Sequence, residues 1–341
     1  MSNEEKFFEN KTILITGGTG SLGQALTKRL LKFNTKSIRI FSRNENTQVK
    51  MENEFKDSRL RFLLGDIRDK DRLIKACEDV NIVFHAAAIK HVPKIEYNPF
   101  ESIKTNIIGS QNVIDACLIN KIEKSICVST DKAVSPLNTY GATKLIMEKL
   151  FVTANNYLNP KNNPTKFIAL RYGNVFGSNG SVIPKFIQQI NRDKQVTVTD
   201  YNMTRFSILM EDALDFILSA TIHGKGSEIF IPKLKSYLIK DIIEALKEIF
   251  GDFNEEKIGI RAGEKLHEIL INYDEIRYGW EFKDMYMLTT PLYEKFHSGK
   301  INNQYENIVK IDLQEDYSSK SATKLTKDEL KKIFNENQFG N

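Results

Sequence analysis

The sequence predicts an α/β protein built on a doubly wound parallel sheet, with a smaller α/β lobe towards the C-terminus. Three observations predict it. Short apolar, β-branched runs alternate with helix-period segments through the first half of the chain, the pattern of parallel strands joined by crossover helices. A glycine-rich turn separates the first of these runs from the first helical segment. Beyond Arg171 the alternation loosens into shorter elements, as an appended lobe would require.

The strand candidates are Thr12–Thr16, Ser37–Phe41, Leu60–Leu64, Asn81–His85, Ser125–Ser129 and Lys166–Arg171, each too short and too apolar to be a surface helix. Between the first two, Leu22, Leu26, Leu30 and Phe33 recur at helical spacing. A further helix is predicted from Tyr140 to Tyr157. After Arg171, the Gly/Asn/Ser stretch from Gly173 to Ser181 precedes a helix-like segment, a Val/Thr run, a helix near Glu211–His223 and a strand near Glu228–Ile231. Thr326 and Glu329 form a capping-box signature that opens a final helix.

Composition narrows the function. The 49 basic and 44 acidic side chains are spread along the chain without basic blocks, which suits an anionic small molecule and argues against a nucleic-acid partner. Cys77, Cys117 and Cys127 are odd in number and lack a CxxC spacing, so neither a disulfide framework nor a thiolate metal site is expected. His91 has no second ligand at a metal-like spacing. Met1 to Asn10 lacks the basic and apolar regions of a signal peptide, and no apolar stretch approaches the roughly 20 residues that span a bilayer. The expectation is a cytoplasmic protein with neither metal nor membrane partner.

The glycine turn, Thr16-Gly17-Gly18-Thr19-Gly20-Ser21-Leu22-Gly23, has the strand-to-helix context of a dinucleotide fingerprint. Gly17 can make the tight turn, Gly20 can let the backbone approach a pyrophosphate and Gly23 can let the helix pack closely. Thr19, Ser21 and Leu22 complete the cradle at the positive end of the helix dipole. At the end of the second strand the chain reads Phe41-Ser42-Arg43-Asn44, with no carboxylate for a ribose diol. Arg43 instead offers a planar fork of donors to a 2′-phosphate, with Ser42 and Asn44 adding hydrogen bonds, so NADP is favoured over NAD. Asp66 of Gly65-Asp66-Ile67-Arg68 can accept from an adenine amino group, and Ala86-Ala87-Ala88 supplies small side chains against the cofactor. Residues 1–175 therefore read as a Rossmann-type NADP-binding domain, to which segments near 205–232 return, and residues 176–341 mainly as a substrate lobe and tail.

Tyr140 and Lys144 lie four apart at the start of a predicted helix and share one face. An ammonium beside the phenol would lower its pKa and make Tyr140 an acid or base near neutrality. The fifth strand runs into Thr130-Asp131-Lys132, and the C-terminal ends of such strands are where ligands bind. Thr130 can bond a substrate hydroxyl. Asp131 and Lys132 put an acid and a base at the mouth of the site, which simple hydride transfer does not need; the plain alternative is a surface ion pair.

The glycine turn, Ser42-Arg43, Ala88-Ile89-Lys90-His91-Val92-Pro93, Ser129-Thr130-Asp131-Lys132, Tyr140-Gly141-Ala142-Thr143-Lys144, Arg171-Tyr172-Gly173-Asn174-Val175, Met203-Thr204-Arg205-Phe206 and Arg261-Ala262-Gly263-Glu264-Lys265 together resemble the nucleotide-sugar branch of the extended short-chain dehydrogenases. Over nearly the whole chain the likeness is greatest to the inverting UDP-N-acetylglucosamine 4,6-dehydratases. Retaining dehydratases carry Asp-Glu where this chain has Asp131-Lys132. Many relatives have Asp at the place of Asn44 and Pro at that of Ala262.

The resemblance implies roles. Tyr140, with Lys144, would take the sugar C4 hydroxyl proton as hydride leaves C4 for NADP. Lys132 would remove the C5 proton and Asp131 would protonate the departing C6 hydroxyl, which requires burial to depress the lysine pKa. Hydride return to C6 and protonation of C5 from the opposite face would give a 4-keto-6-deoxy L-sugar. Substrate binding would fall to Lys90, Thr130, Asn174, Val182, Lys185, Thr204, Arg205, Arg261 and Glu264, with Arg205 and Arg261 meeting the pyrophosphate. Relatives associate through Rossmann-domain helices, so a homo-oligomer is expected. The rival readings are a 4-epimerase or reductase on the same scaffold, a retaining dehydratase, and a non-catalytic NADP-binding sensor.

Overall fold

Five consecutive buried residues, Thr12–Thr16, form β1 near the middle of a ten-stranded sheet in a computed structural model that describes residues 2–157, 163–177, 181–293 and 301–336. Chain order continues with β2 (Ser37–Ser42), β3 (Leu60–Leu64), β4 (Ile82–His85), β5 (Lys124–Val128), β6 (Lys166–Leu170), β7 (Asn174–Val175), β8 (Gln195–Val198) and β9 (Thr204–Ile208). It ends with β10 (Ile229–Pro232), β11 (Ser236–Leu238), β12 (Asn254–Lys257), β13 (Ile269–Ile271), β14 (Gly279–Phe282), β15 (Met285–Leu288), β16 (Val309–Lys310) and β17 (Tyr317–Ser318).

The strand order is β16-β14-β15-β10-β6-β5-β4-β1-β2-β3. From β3 to β10 every pair is parallel, which is the doubly wound Rossmann arrangement extended by one strand. The topological switch between β1 and β4 opens the crevice in which such sheets bind ligands. The antiparallel edge of β15, β14 and β16 was not legible in the sequence, because Lys283, at φ +52°, turns the chain within a run whose apolar residues do not alternate cleanly.

Alternation along each strand supplies both faces. Ile13 and Ile15 of β1, Ile82 and Phe84 of β4, and Ile168 and Leu170 of β6 enter one apolar core, while Leu14, Val83, Phe167 and Ala169 enter the other. A third core joins the amphipathic helices Val182–Asp193, Ile239–Phe250 and Lys327–Glu336 through Ile183, Phe186, Ile242, Leu246, Leu330 and Phe334. Thr326 and Glu329 cap the last of these reciprocally, Thr326 N donating to Glu329 at 2.9 Å and Glu329 N to Thr326 Oγ1 at 3.2 Å. Part of the Gly173 to Ser181 stretch, residues 178–180, lies outside the described residues.

Asn138 caps the helix Thr139–Ala154 by accepting from Gly141 N at 2.8 Å, and the predicted run to Tyr157 ends instead as a tight 3-10 turn. Arg171, fully buried at the end of β6, grips Glu148 of that helix and Glu275 together, so the helix bearing Tyr140 is fastened to the sheet by charge-assisted bonds. Among the described residues no helix is long and apolar enough to cross a membrane.

Candidate active site

A cavity of about 600 Å³ opens at the C-terminal ends of the parallel strands. Gly17, Thr19, Gly20, Ser21, Leu22 and Gly23 line one wall, Ser42, Arg43, Asn44, Asp66 and Ile67 a second, and Ala86, Ala87, Ala88, Lys90, Thr130, Tyr140, Lys144 and Asn174 the rest.

The glycine turn is dictated by close approach. Gly17 has φ +69°, and a Cβ there would meet Ala87 N and Cα at 2.8 Å. A Cβ on Gly20 would meet only Gly17 O, at 3.2 Å, so its bareness serves the cavity rather than the packing. Helix Ser21–Leu30 starts at Gly20 with no side-chain cap, leaving first-turn N–H groups for phosphate oxygens. These features fit an NAD(P) pyrophosphate.

On the second wall, Asn44 Oδ1 is already engaged as a helix cap, accepting from Thr47 N at 3.1 Å, and Ser42 Oγ accepts from Gln48 Nε2 at 3.0 Å. Arg43 is exposed and lies 3.7 Å from Asp66. Asp66 is taken up by Arg68, whose Nη2 lies 2.6 Å away, and despite burial this pairing holds its carboxyl below the usual range.

Beneath the turn lies a polar chain that sequence reasoning missed. Ser110 donates to Asn106 O at 2.7 Å, so His85 Nε2 must donate to Ser110 Oγ at 2.8 Å and Nδ1 must accept from Thr16 Oγ1 at 2.7 Å. Burial pulls the His85 imidazole down to about 3, which keeps it neutral. Asn106 clamps the cavity loop by accepting from Ile89 N at 2.9 Å and donating to Ile89 O at 3.0 Å. The available signal was polar side chains inside otherwise apolar elements.

Asp131 and Lys132 form a tight turn whose N-terminal cap is Thr130 Oγ1. They stand behind the cavity wall. Lys132 Nζ lies 3.0 Å from Asp131 Oδ1, 3.4 Å from Asn174 Oδ1 and 3.5 Å from Glu268 Oε1. Burial pushes the Asp131 carboxyl up, against the pull of Lys132 and with help from the Glu268 charge.

Two charge states differ from expectation. Burial alone would depress Lys132, but Asp131 and Glu268 reverse the effect and hold the ammonium above its ordinary value. Lys144 is engaged away from the Tyr140 phenol. Its Nζ donates to Val128 O at 2.6 Å, burial pulls it down to about 8, and burial pushes the Tyr140 phenol up to about 12. In the ligand-free chain Lys132 is charged and Tyr140 is a neutral phenol.

The remaining substrate candidates lie outside the cavity lining. Lys185, Arg261 and Glu264 neighbour one another, with Arg261 Nη1 3.0 Å from Glu264 Oε1 and the Lys185 pKa lowered by burial and by Arg261. Val182 opens the helix that carries Lys185. Thr204 is buried on His267 and Ser319, at 2.7 and 2.8 Å, and so supports neighbouring residues rather than facing open space. Arg205 donates to Thr204 O at 2.8 Å and lies 3.9 Å from Glu268.

The fold and cavity define a Rossmann-type α/β protein with a dinucleotide crevice. Residues 13–290 match the family described as polysaccharide biosynthesis protein, and the chain belongs to that family. It is 50% identical to a Campylobacter jejuni UDP-N-acetylglucosamine 4,6-dehydratase (inverting), covering 83% of this chain and 84% of that one. It is 44% identical to a Methanocaldococcus jannaschii protein described as an uncharacterized membrane protein (97% of each chain) and 40% identical to a Rickettsia rickettsii UDP-glucose 4-epimerase (96% of each). Among solved structures, Pen from Bacillus thuringiensis superposes with a TM-score of 0.90 at 39% identity, covering 98% of this chain and 99% of the other. A Bacillus cereus UDP-glucuronic acid 4-epimerase in complex with UDP-glucuronic acid and NAD superposes with a TM-score of 0.67 at 26% identity, covering 75% and 88%.

Proposed function

We propose that this chain is an NADP-dependent inverting 4,6-dehydratase acting on UDP-N-acetylglucosamine in the cytoplasm, for surface-glycan synthesis, and that it works as a homo-oligomer. The observation that carries the reading is the pair of buried Asp131 and half-buried Lys132, 3.0 Å apart, directly behind Thr130 and Tyr140. Epimerisation or plain reduction has no use for that second acid–base pair. The Campylobacter jejuni relative's name supports the same activity.

The glycine turn and the first turn of helix Ser21–Leu30 would hold the NADP pyrophosphate, and Arg43, with Ser42 beside it, would take the 2′-phosphate. When bound, NADP supplies the acceptor and later the donor of one hydride. Tyr140 takes the C4 hydroxyl proton once its phenol has given up its own, and the Lys132 charge and the Thr130 hydrogen bond are the groups that favour the phenolate against burial. Asp131, whose carboxyl burial pushes towards the protonated form, gives a proton to the leaving C6 hydroxyl. Lys132 removes the C5 proton once it has shed its own, and a proton delivered to C5 from the opposite face inverts that centre. Lys185, Arg205 and Arg261 supply cations for the UDP pyrophosphate. The wild-type chain should convert UDP-N-acetylglucosamine in deuterated water to a 4-keto-6-deoxy sugar with deuterium at C5 and inverted C5 coupling by proton NMR, and Lys132→Ala should not.

A second reading is favoured by the Rickettsia rickettsii relative, named a UDP-glucose 4-epimerase. C4 inversion without loss of water would establish it and overturn the dehydratase; a 4-keto-6-deoxy product of D-configuration would keep elimination and overturn inversion.

A further inference from the structure

Lys132 is the ammonium for two buried carboxylates, Asp131 Oδ1 at 3.0 Å and Glu268 Oε1 at 3.5 Å, on side chains that are 0% and 4% exposed. Glu268 reaches this position from the distant segment before β13. Its backbone is locked there by Ser319, with Glu268 N donating to Ser319 Oγ at 2.9 Å and Ser319 N donating to Glu268 O at 2.7 Å. Ser319 is held in turn by Thr204. Glu268 Oε2 is buried and has no hydrogen-bond partner among the described residues. Nothing in the structural role of β13 requires a carboxylate with a free buried oxygen, and burying one without a partner is unfavourable.

Resting on the dehydratase reading, we propose that Glu268 is a positioning residue that completes the acid–base group: it carries the negative charge paired with Lys132, so that Asp131 keeps the proton it must deliver. Two buried carboxylates that share one cation do not both ionise readily, and the proton stays on the less well-paired one. The groups around them decide which. Arg205 of β9, 3.9 Å from Glu268, and Lys265 both favour the Glu268 anion. Asp131 faces Lys132, Thr130, Tyr140 and, across the lobe, Tyr237 and Lys265, and among the described residues no guanidinium or ammonium apart from Lys132 bonds it directly. Lys90 adds a further positive charge near Lys132, and His267 sits beside Arg205.

The same carboxylate solves the protonation of Lys132. An N–H bond of the ammonium breaks and an O–H bond on Glu268 forms, with the charge of the trio unchanged. Lys132 then enters the reaction neutral while Asp131 is still an acid.

The test uses the full-length chain and two readouts. The first is the infrared carboxyl band that disappears between wild type and Asp131→Asn at neutral pH, which needs no turnover. It is expected in the wild-type background, absent in a Glu268→Gln background and restored in Glu268→Asp. The second is the pH profile of kcat with UDP-N-acetylglucosamine. Glu268→Gln should lower kcat about tenfold or more at neutral pH and move the high-pH limb about one unit or more towards acid, with KM changed less than about threefold, since a unit of pKa is a factor of ten. Glu268→Asp should recover most of the loss. An Asp131 band that persists in the Glu268→Gln background, or a fall in kcat with an unmoved profile, overturns the proposal and leaves Glu268 a packing residue. A wild-type chain that does not turn over UDP-N-acetylglucosamine overturns the dehydratase reading, and the infrared comparison still decides the charge assignment.

Discussion

The Lys144 ammonium donates to the carbonyl oxygen of Val128 at 2.6 Å, and this bond, one turn along the helix from Tyr140, anchors a charge that the interior disfavours. Lys144 is 4% exposed, and burial pulls its pKa from 10.5 to about 8. Below about pH 8 the lysine is protonated in both the folded and the unfolded chain, and the folded state bears the full cost of the charge. Between about 8 and 10.5 the unfolded chain holds the extra proton, so the cost is relieved and stability rises with pH. Lys144→Met is therefore expected to stabilise the ligand-free protein at pH 7 by on the order of 1 kcal/mol and to lose most of that advantage by about pH 10, while reducing turnover. Thermal unfolding of both proteins across this range checks it; a difference that does not change with pH would refute the assignment.

Arg171→Met should be among the most damaging substitutions outside the cavity. The guanidinium is fully buried, bonds Glu148 through Nε at 3.0 Å and Nη2 at 2.7 Å, and bonds Glu275 twice at 2.9 Å. Its loss strands two carboxylates, at a cost of about 3–5 kcal/mol. Urea denaturation should show the fall, and Arg171→Met combined with Glu148→Gln should recover part of it.

Gly17→Ala and Gly20→Ala separate packing from ligand approach. At Gly17 the added methyl group meets Ala87 at 2.8 Å on a backbone of φ +69°, so the apo protein should lose about 1–3 kcal/mol as well as NADP binding. At Gly20 only Gly17 O stands near, at 3.2 Å, so apo stability should change little while NADP affinity falls. Calorimetric titration beside thermal unfolding distinguishes the two; an intact NADP affinity in Gly20→Ala would rule out close backbone approach at that glycine.

Arg43 is the cofactor-selecting residue in this reading. Arg43→Ala should raise the Kd for NADP by roughly 10- to 100-fold, the worth of a charge-assisted pair, and leave the Kd for NAD within about threefold. Equal effects on both cofactors would remove the argument for NADP.

The parallel half of the sheet was legible because β1, β4 and β6 are buried on both faces and read as uninterrupted apolar runs between helical segments. The candidates that line the cavity were legible as motifs at strand ends, a position that sequence order alone reveals. The charge states were not. The charge of Lys132 depends on Asp131 and also on Glu268, which lies far along the chain and is held near it by the lock on Ser319. Whether Lys144 reaches Tyr140 depends on a competing carbonyl, Val128 O, which is no part of the Tyr140–Lys144 spacing. His85 read as the end of an apolar strand because its partners, Thr16 and Ser110, are close only after the strands and the following helix have packed.

The origin of Glu268 in a late segment also bears on how the chain is made. Synthesis runs from the N-terminus, and the early part of a chain can fold before the rest has emerged. Asp131 and Lys132 leave the ribosome well ahead of Glu268 and Ser319, so a nascent chain can build its dinucleotide crevice while its proton-transfer group is still incomplete. In the proposed mechanism, competence for elimination arrives with the last third of the polypeptide, and a truncated product would retain its nucleotide pocket without the chemistry.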